Sequence, residues 1–237
     1  MSTIKANTVQ PKDAATDLTL GASGDTGTVA ADSININKVQ DKGGNTLWDY
    51  STGAFVAGNE AFGSQNLKLL STSTISGGYS ISFTSLIDST YDVYMFKFIQ
   101  CNPAINSATW SFQMGSNYNT TITTSFFRAL HSEDDTVAQV GYDQGNAQQQ
   151  GTAFQKLAQN VMNDADACVS GELYLFAPLS TTYVKQFYSR STAMRTGPLV
   201  SDVFVGGYFN TAEALSQIQF KFDSGTFDGT VKMYGLL

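Results

Sequence analysis

The chain has 237 residues, only 14% of them charged, and a formal net charge of -7. Because it has no cluster of Lys and Arg to release counterions from a phosphate backbone, we expect no nucleic-acid partner. The opening MSTIKANTVQPKDAA lacks a signal-peptide core and no run reaches roughly 18 apolar residues, so we expect neither signal-peptide export nor membrane insertion.

The composition changes near residue 66. The chain has 2 Trp, 11 Tyr and 16 Phe. The aromatic residues that precede residue 67 are Trp48, Tyr50, Phe55 and Phe62. We therefore predict two regions, an assembly segment at 1–66 and a folded domain at 67–237 that contains the core.

Residues 1–66 alternate like strands but carry few apolar side chains. The pairs Leu18/Leu20 and Ile34/Ile36 alternate with polar residues between turn signals, which disordered chains rarely do. Burying so little apolar surface does not offset the conformational entropy lost on ordering. We therefore predict an extended, β-rich segment ordered by other chains in a homo-oligomer; the alternative is a flexible linker. The predicted assembly interface is Val9, Leu18, Leu20, Ile34, Ile36 and Trp48.

Nine segments with period-2 alternation follow in the second region. They are residues 79–83, 91–100, 109–114, 124–130, 172–177, 183–190, 202–209, 218–222 and 230–236. Short strands rich in Tyr, Phe, Val and Ile indicate two packed antiparallel sheets. The predicted fold class is all-β, with a C-terminal antiparallel β-sandwich, jelly-roll-like, after the N-terminal segment.

A polar, Gln-rich stretch interrupts this pattern at residues 132–167. Phe154, Leu157 and Val161 within it have a short helical spacing. Long excursions from a compact β-domain tend to be functional, so we predict a partner or ligand contact in this stretch.

Glycan binding is one such contact, because Tyr rings stack on sugar faces while amide groups bond the hydroxyls. Tyr118 in GSNYNTT and Tyr142 in GYDQGN lie on polar, turn-like stretches. The possible glycan contacts are Tyr118, Asn119 and Tyr142. The alternative is that these residues only anchor their loops.

The sequence lacks the usual marks of catalysis or metal binding. His131 is the only histidine, so an imidazole metal site would have no second His. Asp164 and Asp166 lack the Gly that a calcium loop needs at its sixth position. Glycoside hydrolysis needs only two carboxylates, for which Glu133, Asp135 and Glu172 are candidates without a selecting pattern. We predict no enzyme activity, no cofactor and no metal, and two free, buried thiols at Cys101 and Cys168.

Two pairs of motifs resemble a known family. The opening MSTIKANTVQP followed by TDLTLGASGDT resembles the start of tail-fibre-like and other virion structural proteins of marine bacteriophages. The later stretches SISFTSLIDSTYDVYMFKFIQCNPA and IQFKFDSGTFDGTVKMYGLL are similar to a β-sandwich domain of the same proteins. The resemblance implies a trimer, attached to the particle by its N-terminal part, with the sandwich facing outward.

The expected function is therefore that of a bacteriophage virion structural protein, assembled in the host cytoplasm as a fibre-like component of tail or head. The expected partners are further copies of the chain, other virion proteins and, in one alternative, host surface glycan. The alternatives are a capsid decoration protein, a receptor- or glycan-binding module, and a depolymerase.

Overall fold

The computed structural model describes residues 38–40, 46–49, 56–57 and 67–236. The chain divides into two units, Met1–Gly63 and Ser64–Leu237. The first contains a small antiparallel sheet in the order β1-β2-β3. Its strands are β1 (Lys38–Gln40), β2 (Thr46–Asp49) and β3 (Val56–Ala57).

The second unit consists of thirteen strands in one antiparallel sheet that is nearly closed. The first seven are β4 (Leu67–Gly78), β5 (Ile81–Phe83), β6 (Val93–Pro103), β7 (Ala108–Met114), β8 (Ile122–Ser132), β9 (Ala138–Tyr142) and β10 (Gln149–Gly151). The others are β11 (Gln155–Val161), β12 (Val169–Phe176), β13 (Lys185–Arg195), β14 (Leu199–Phe209), β15 (Ile218–Phe222) and β16 (Phe227–Leu236). A 3-10 turn at Gln144–Asn146 is the one helical element in the described ranges.

The prediction of an all-β chain is confirmed. Each of the nine predicted segments overlaps a strand, and residues 218–222 match β15 at both ends. In these segments aromatic and β-branched residues alternate with polar ones, which suits a sheet that buries one face. The alternation is most regular on β13, where every second side chain from Lys185 to Ala193 is buried.

The strands pair along two paths that meet at β13. One path runs β4-β16-β6-β12-β13-β14-β8 and ends at β9 and β10, which both pair with β8. The other runs β11-β7-β15-β5 and joins β13 through the single pair Val161 and Arg195. The long path thus has two ends, one at β4 and one at β9 and β10.

Aromatic side chains from both paths form the core. Phe112 on β7 packs edge-on against Phe187 on β13, with ring centroids 5.0 Å apart. Phe220 on β15 lies 5.5 Å from Phe96 on β6. Trp110 on β7 is fully buried beside the rings of Phe98, Phe220, Phe222 and Phe227. Ring pairs of this kind add packing energy to the burial of their large apolar area.

The predicted helical spacing at residues 154–161 is wrong, because this segment is strand β11. Its pairing with β7 shifts register between Lys156 and Ala158 and again between Ala158 and Val161. Each β-bulge adds a residue and turns the side chains that follow to the other face. The buried positions Gln155, Leu157, Ala158 and Val161 therefore have a spacing that resembles a helix.

Candidate functional site

Most of the predicted assembly interface lies outside the described residues. This holds for Val9, Leu18, Leu20, Ile34 and Ile36. Trp48 lies on β2, where its backbone pairs with Val39 on β1 and with Ala57 on β3.

The predicted glycan contacts lie at two different places. Tyr118 is half-buried in the turn between β7 and β8, with a positive φ of 49°, and its amide donates to the Gly115 carbonyl at 3.1 Å. The neighbouring Asn119 is exposed and lines a polar depression together with Glu213. Tyr142 ends β9 and lines a separate depression, so the structure does not join the three residues in one site.

Strand β9 has an unusual exposure. Its five residues, AQVGY, are all exposed, with Val140 at 79% and Tyr142 at 62%. The sequence predicted a contact surface in residues 132–167, but did not indicate that a bare strand would present it. Three consecutive elements, β9, the 3-10 turn and β10, lie along β8 in this stretch.

A network of polar side chains holds the segment after β9 against the sheet. Arg128 on β8 forms an ion pair with Asp143 at 3.0 Å and donates a hydrogen bond to Gln159 Oε1. The amide group of Gln159 donates to Asn146 Oδ1 at 2.6 Å, and Lys156 Nζ donates to the same oxygen at 2.8 Å. Since Asn146 is buried, these bonds satisfy an oxygen that would otherwise lose its water.

Two buried glutamines extend this network. Gln155 accepts a hydrogen bond from Thr124 Oγ1 at 2.8 Å and donates to the Asn146 carbonyl at 3.1 Å. Gln113 on β7 donates to the carbonyls of Thr152 and Ala153 at 3.1 and 3.0 Å. Gln155 within the stretch and Gln113 on β7 thus satisfy backbone carbonyls that are not part of a strand ladder.

The outer side of the sheet carries a second exposed feature, a row of apolar side chains across five neighbouring strands. Tyr234 on β16 is paired with Leu69 and Met95, and Tyr174 on β12 is paired with Met95 and Tyr188. Directly paired residues share a face of the sheet. We call Leu69, Tyr234, Met95, Tyr174 and Tyr188 the outer band.

Parts of the outer band remain open to solvent. Leu69 is 50% exposed and Tyr188 is 47% exposed, whereas Met95 is covered. The rings of Tyr174 and Tyr188 stack 4.9 Å apart at an interplanar angle of 20°. Burial raises the pKa of Tyr174, with a smaller contribution from Glu172.

A stacked pair of rings continues the outer face beside the outer band. Phe127 on β8 and Phe204 on β14 are 4.9 Å apart and almost parallel. The Arg190 guanidinium lies 4.9 Å from the Phe204 ring centre and forms a two-point ion pair with Asp202. Arg190, Phe204 and Phe127 therefore lie in one row across neighbouring strands. Tyr142, the register partner of Phe127, continues this row.

His131 lies at the rim of a depression of about 430 Å³ on the same side of the sheet. Its Nε2 atom is 3.1 Å from Asp135 Oδ1, and both side chains are mostly exposed. Glu133, Asp166 and Cys168 line the same depression. In the part of the chain that the structure describes, no three His, Cys, Asp or Glu residues are grouped closely enough to hold a metal ion.

The two thiols differ. Both cysteines are free, and Cys101 is fully buried in the core, as predicted. Burial raises the pKa of Cys101 to about 12, so this thiol stays protonated at neutral pH. Cys168 is only half-buried, which differs from the prediction, because it stands at the surface just before β12.

Comparison with known proteins gives no relative for this chain: no protein-family model, no curated protein and no solved structure matches it. Within the described ranges, no helix has the length and apolarity needed to cross a membrane.

Proposed function

We propose that this chain is a structural protein of a bacteriophage virion, a fibre-like component of tail or head. In this proposal it forms a homotrimer attached to the particle through residues 1–66. The motifs MSTIKANTVQP and TDLTLGASGDT resemble those of virion proteins, which supports a location on the virion. The structural observation that supports association between copies is the outer band.

The outer band supports assembly because Leu69 and Tyr188 are about half exposed within an apolar row, and exposed apolar patches mark interaction sites. Leu69 belongs to β4, the first strand of the second unit, which starts directly after residue 66. Aromatic rings are also favoured at protein interfaces, where their large area is buried at low entropic cost.

Within this proposal we infer that the second unit is a jelly-roll-like sandwich. The short path β11-β7-β15-β5 faces the long path, and ring pairs such as Phe112 with Phe187 and Phe220 with Phe96 join them. A sandwich of this kind offers two sheet faces and two sets of loops as outward-facing surface. Chemical shift assignments with inter-strand contacts measured by NMR would test the arrangement.

The oligomer is tested with the double variant Ile34→Asp, Ile36→Asp in the full chain. We expect its mass by light scattering at high dilution to fall to that of a single folded chain, because four negative charges per pair of copies cannot be buried together. Asn35→Asp with Asn37→Asp adds the same charges at adjacent positions and is the matched control. A double variant that keeps the mass of the unmodified chain would refute the assembly segment.

The outer band is tested by one charge. Leu69→Glu places a carboxylate in the outer band, and we expect it to weaken association at least tenfold by sedimentation. Ile105→Glu is the control, because Ile105 is similarly exposed, at 47%, but lies in the turn between β6 and β7. Equal association of both variants would remove the outer band from the proposal.

The place on the particle distinguishes a fibre from a capsid decoration protein. A reconstruction of purified particles should show density for this chain at the tail or as a head fibre. Density distributed regularly over the capsid lattice would favour the decoration alternative. Particles without the chain would overturn the virion proposal.

A glycan-binding role is the second candidate, and the exposure of Tyr142 and Asn119 favours it. Because the two residues line separate depressions, each should contribute independently to binding on a glycan array or on host cells. Asn119→Ala leaves β9 untouched and is therefore the more informative change. An unmodified chain that binds the capsid and ignores both glycans and cells would exclude this role.

A further inference from the structure

Strand β9 ends the long pairing path without the usual protection of an edge. Among the described residues it pairs with β8 alone. Natural edge strands are protected against pairing with other chains by Lys, Pro, bulges or covering loops. The sequence Ala138–Tyr142 has no charged residue and no Pro, its register with β8 is uninterrupted, and all five residues are exposed.

The backbone groups of β9 that face away from β8 can be identified from the register. Asp143 donates its amide to the Phe126 carbonyl at 2.8 Å, and Ser132 donates to the Val137 carbonyl at 2.9 Å. In an antiparallel ladder, hydrogen-bonded pairs alternate with pairs that face outward. Residues 137, 139, 141 and 143 are therefore bonded to β8. The N–H and C=O groups of Ala138, Val140 and Tyr142 face the free edge.

We propose that β9 pairs with β9 of a second copy of this chain, antiparallel, about a two-fold axis at Val140. In this register Val140 faces Val140 of the second copy, and Ala138 faces Tyr142 of the second copy. Every outward N–H and C=O of the three residues then has a partner. A two-fold contact is self-complementary by construction, so one surface supplies both sides.

The side chains of β9 suit this register. Opposite the large ring of Tyr142 stands the methyl group of Ala138, and opposite Gln139 stands Gly141. The two copies of Val140 meet at the axis, and β-branched pairs are favourable across strands. Tyr142 and Gln139 thus each face a small residue of the second copy. Large residues at both ends of β9 would instead face each other in this register. The joined strands also extend the apolar row of Phe127 and Phe204, since Tyr142 lies beside Phe127.

The charge distribution favours the same surface. Each copy carries a net charge of -7, so two copies repel each other on most approaches. The edge of β9 is uncharged, and the nearest carboxylate after it, Asp143, is neutralised by Arg128 at 3.0 Å. Asp134 and Asp135 lie in the turn before β9, so we expect the association to strengthen with ionic strength.

Strand β9 is also preorganised in the single chain. The bonds of Asp143, Asn146 and Gln155 fix the segment that follows β9 to the sheet. A rigid edge loses little conformational entropy on pairing, which improves affinity. This interface is formed by residues of the second unit and goes beyond the proposed homotrimer, linking two copies of different trimers or two free chains.

The interface is tested in the full chain with Val140→Pro. Because the Val140 amide faces the free edge, Pro removes an outward donor without removing a bond to β8. Sedimentation velocity at increasing concentration should show paired species for the unmodified chain and none for Val140→Pro. Val140→Lys, a charge of the kind that protects natural edges, should abolish pairing in the same way. Val140→Thr keeps the amide and the branched shape, and should still pair within tenfold.

Hydrogen exchange gives a second readout that does not depend on mass. The amides of Val140 and Tyr142 should become protected as concentration rises, and stay unprotected in Val140→Lys. The amides of Gly141 and Asp143 bond to β8 and should be protected in every folded variant. Fast exchange at Val140 and Tyr142 at all concentrations would overturn the inference. So would paired species that persist at high concentration in both Val140→Pro and Val140→Lys.

The same measurements separate this interface from the homotrimer. In the Ile34→Asp, Ile36→Asp variant, protection of the Val140 amide at high concentration should persist although the N-terminal contacts are lost. Conversely, a Val140→Lys chain should keep the mass of the N-terminal assembly. If the double variant lost protection at Val140, β9 would not pair independently and the inference would fail, while the homotrimer would stand.

Discussion

Two regions of the same sheet are stabilised by different interactions. The aromatic interior depends on apolar packing, and the segment at residues 142–160 depends on hydrogen bonds between polar side chains. The interior is dominated by apolar side chains, with the rings of Trp110, Phe112 and Phe220 packed against one another. The segment at 142–160 is fixed by hydrogen bonds of Asn146, Gln155 and Gln159. Burial of apolar area is non-directional, whereas a buried amide must meet its partners at defined positions.

This difference shows how one chain combines a stable domain with a defined binding edge. The apolar interior supplies most of the free energy of unfolding. The polar network contributes less energy, but it positions β9, because each buried amide is costly unless it is bonded. We therefore expect substitutions in the interior to change global stability, and substitutions in the network to change local order.

The largest effect is expected from Trp110→Ala. It removes a fully buried indole from a cluster of four rings, and we expect a loss of about 3–5 kcal/mol in free energy of unfolding. Urea unfolding followed by circular dichroism measures it. Trp110→Phe is the matched variant and should cost far less. Among the described residues, Trp110 Nε1 is the buried side-chain atom without a hydrogen-bond partner, so Phe also removes an unpaired donor.

A smaller effect is expected from Gln155→Leu. It leaves the Thr124 hydroxyl without its acceptor and the Asn146 carbonyl without its donor, at a cost of about 1–3 kcal/mol. Thr124 Oγ1 still accepts a hydrogen bond from the Gln148 amide at 2.8 Å. Hydrogen exchange should rise mainly in residues 142–156 while the strands around Trp110 stay protected. If protection fell equally everywhere, the segment and the interior would form one cooperative unit and the comparison would fail.

The smallest effect at neutral pH is expected from Lys185→Met. Lys185 is buried and donates to the carbonyls of Tyr183 and Thr211 at 2.9 and 3.1 Å. Met removes the cost of burying a charge but leaves two carbonyls without their donor, and because these effects oppose each other we expect a net change within about 1 kcal/mol. Chemical unfolding at neutral pH measures it, and a loss of several kcal/mol would contradict it.

The stability difference between the unmodified chain and Lys185→Met should also depend on pH. Burial lowers the pKa of Lys185 from its ordinary value of 10.5 in the folded chain. The folded state therefore releases the proton first, and the cost of burying the charge is present at neutral pH and disappears as the pH rises toward 10.5. We expect the unmodified chain to gain stability relative to Lys185→Met over that range. A constant difference between the two would contradict it.

The sequence predicted the strands whose alternation marks one buried face. It did not predict β4, because LKLLSTSTISGG at an edge of the sheet is mostly polar, nor β9 and β10, which are short and exposed. β11 was hidden because its two bulges leave the adjacent residues Leu157 and Ala158 both buried, which breaks a period of two. These errors are local: β4, β9 and β10 lack the alternation of a strand with one buried face, and the backbone bulges of β11 disturb it.

The candidate site could not be predicted, because it depends on contacts between distant residues. On β7 the alternation suggests a polar face in water, yet Thr109, Ser111 and Gln113 are buried, in part by the segment at 152–153 that Gln113 binds. Likewise, nothing local in AQVGY shows that it lies at the end of the pairing path. The pattern of residues predicts where strands form. The order in which the strands pair in the sheet determines which strand has an unpaired edge.

The contrast between the two thiols provides a spectroscopic handle. Cys101 is enclosed and stays protonated, so a maleimide probe should attach to Cys168 alone, without any prior substitution. A spin label on Cys168 then gives each copy one label at a defined position. In the Ile34→Asp, Ile36→Asp variant, pulsed dipolar spectroscopy would then report a single distance between the two copies of a β9 pair. The width of the distance distribution would show how uniformly the copies are joined.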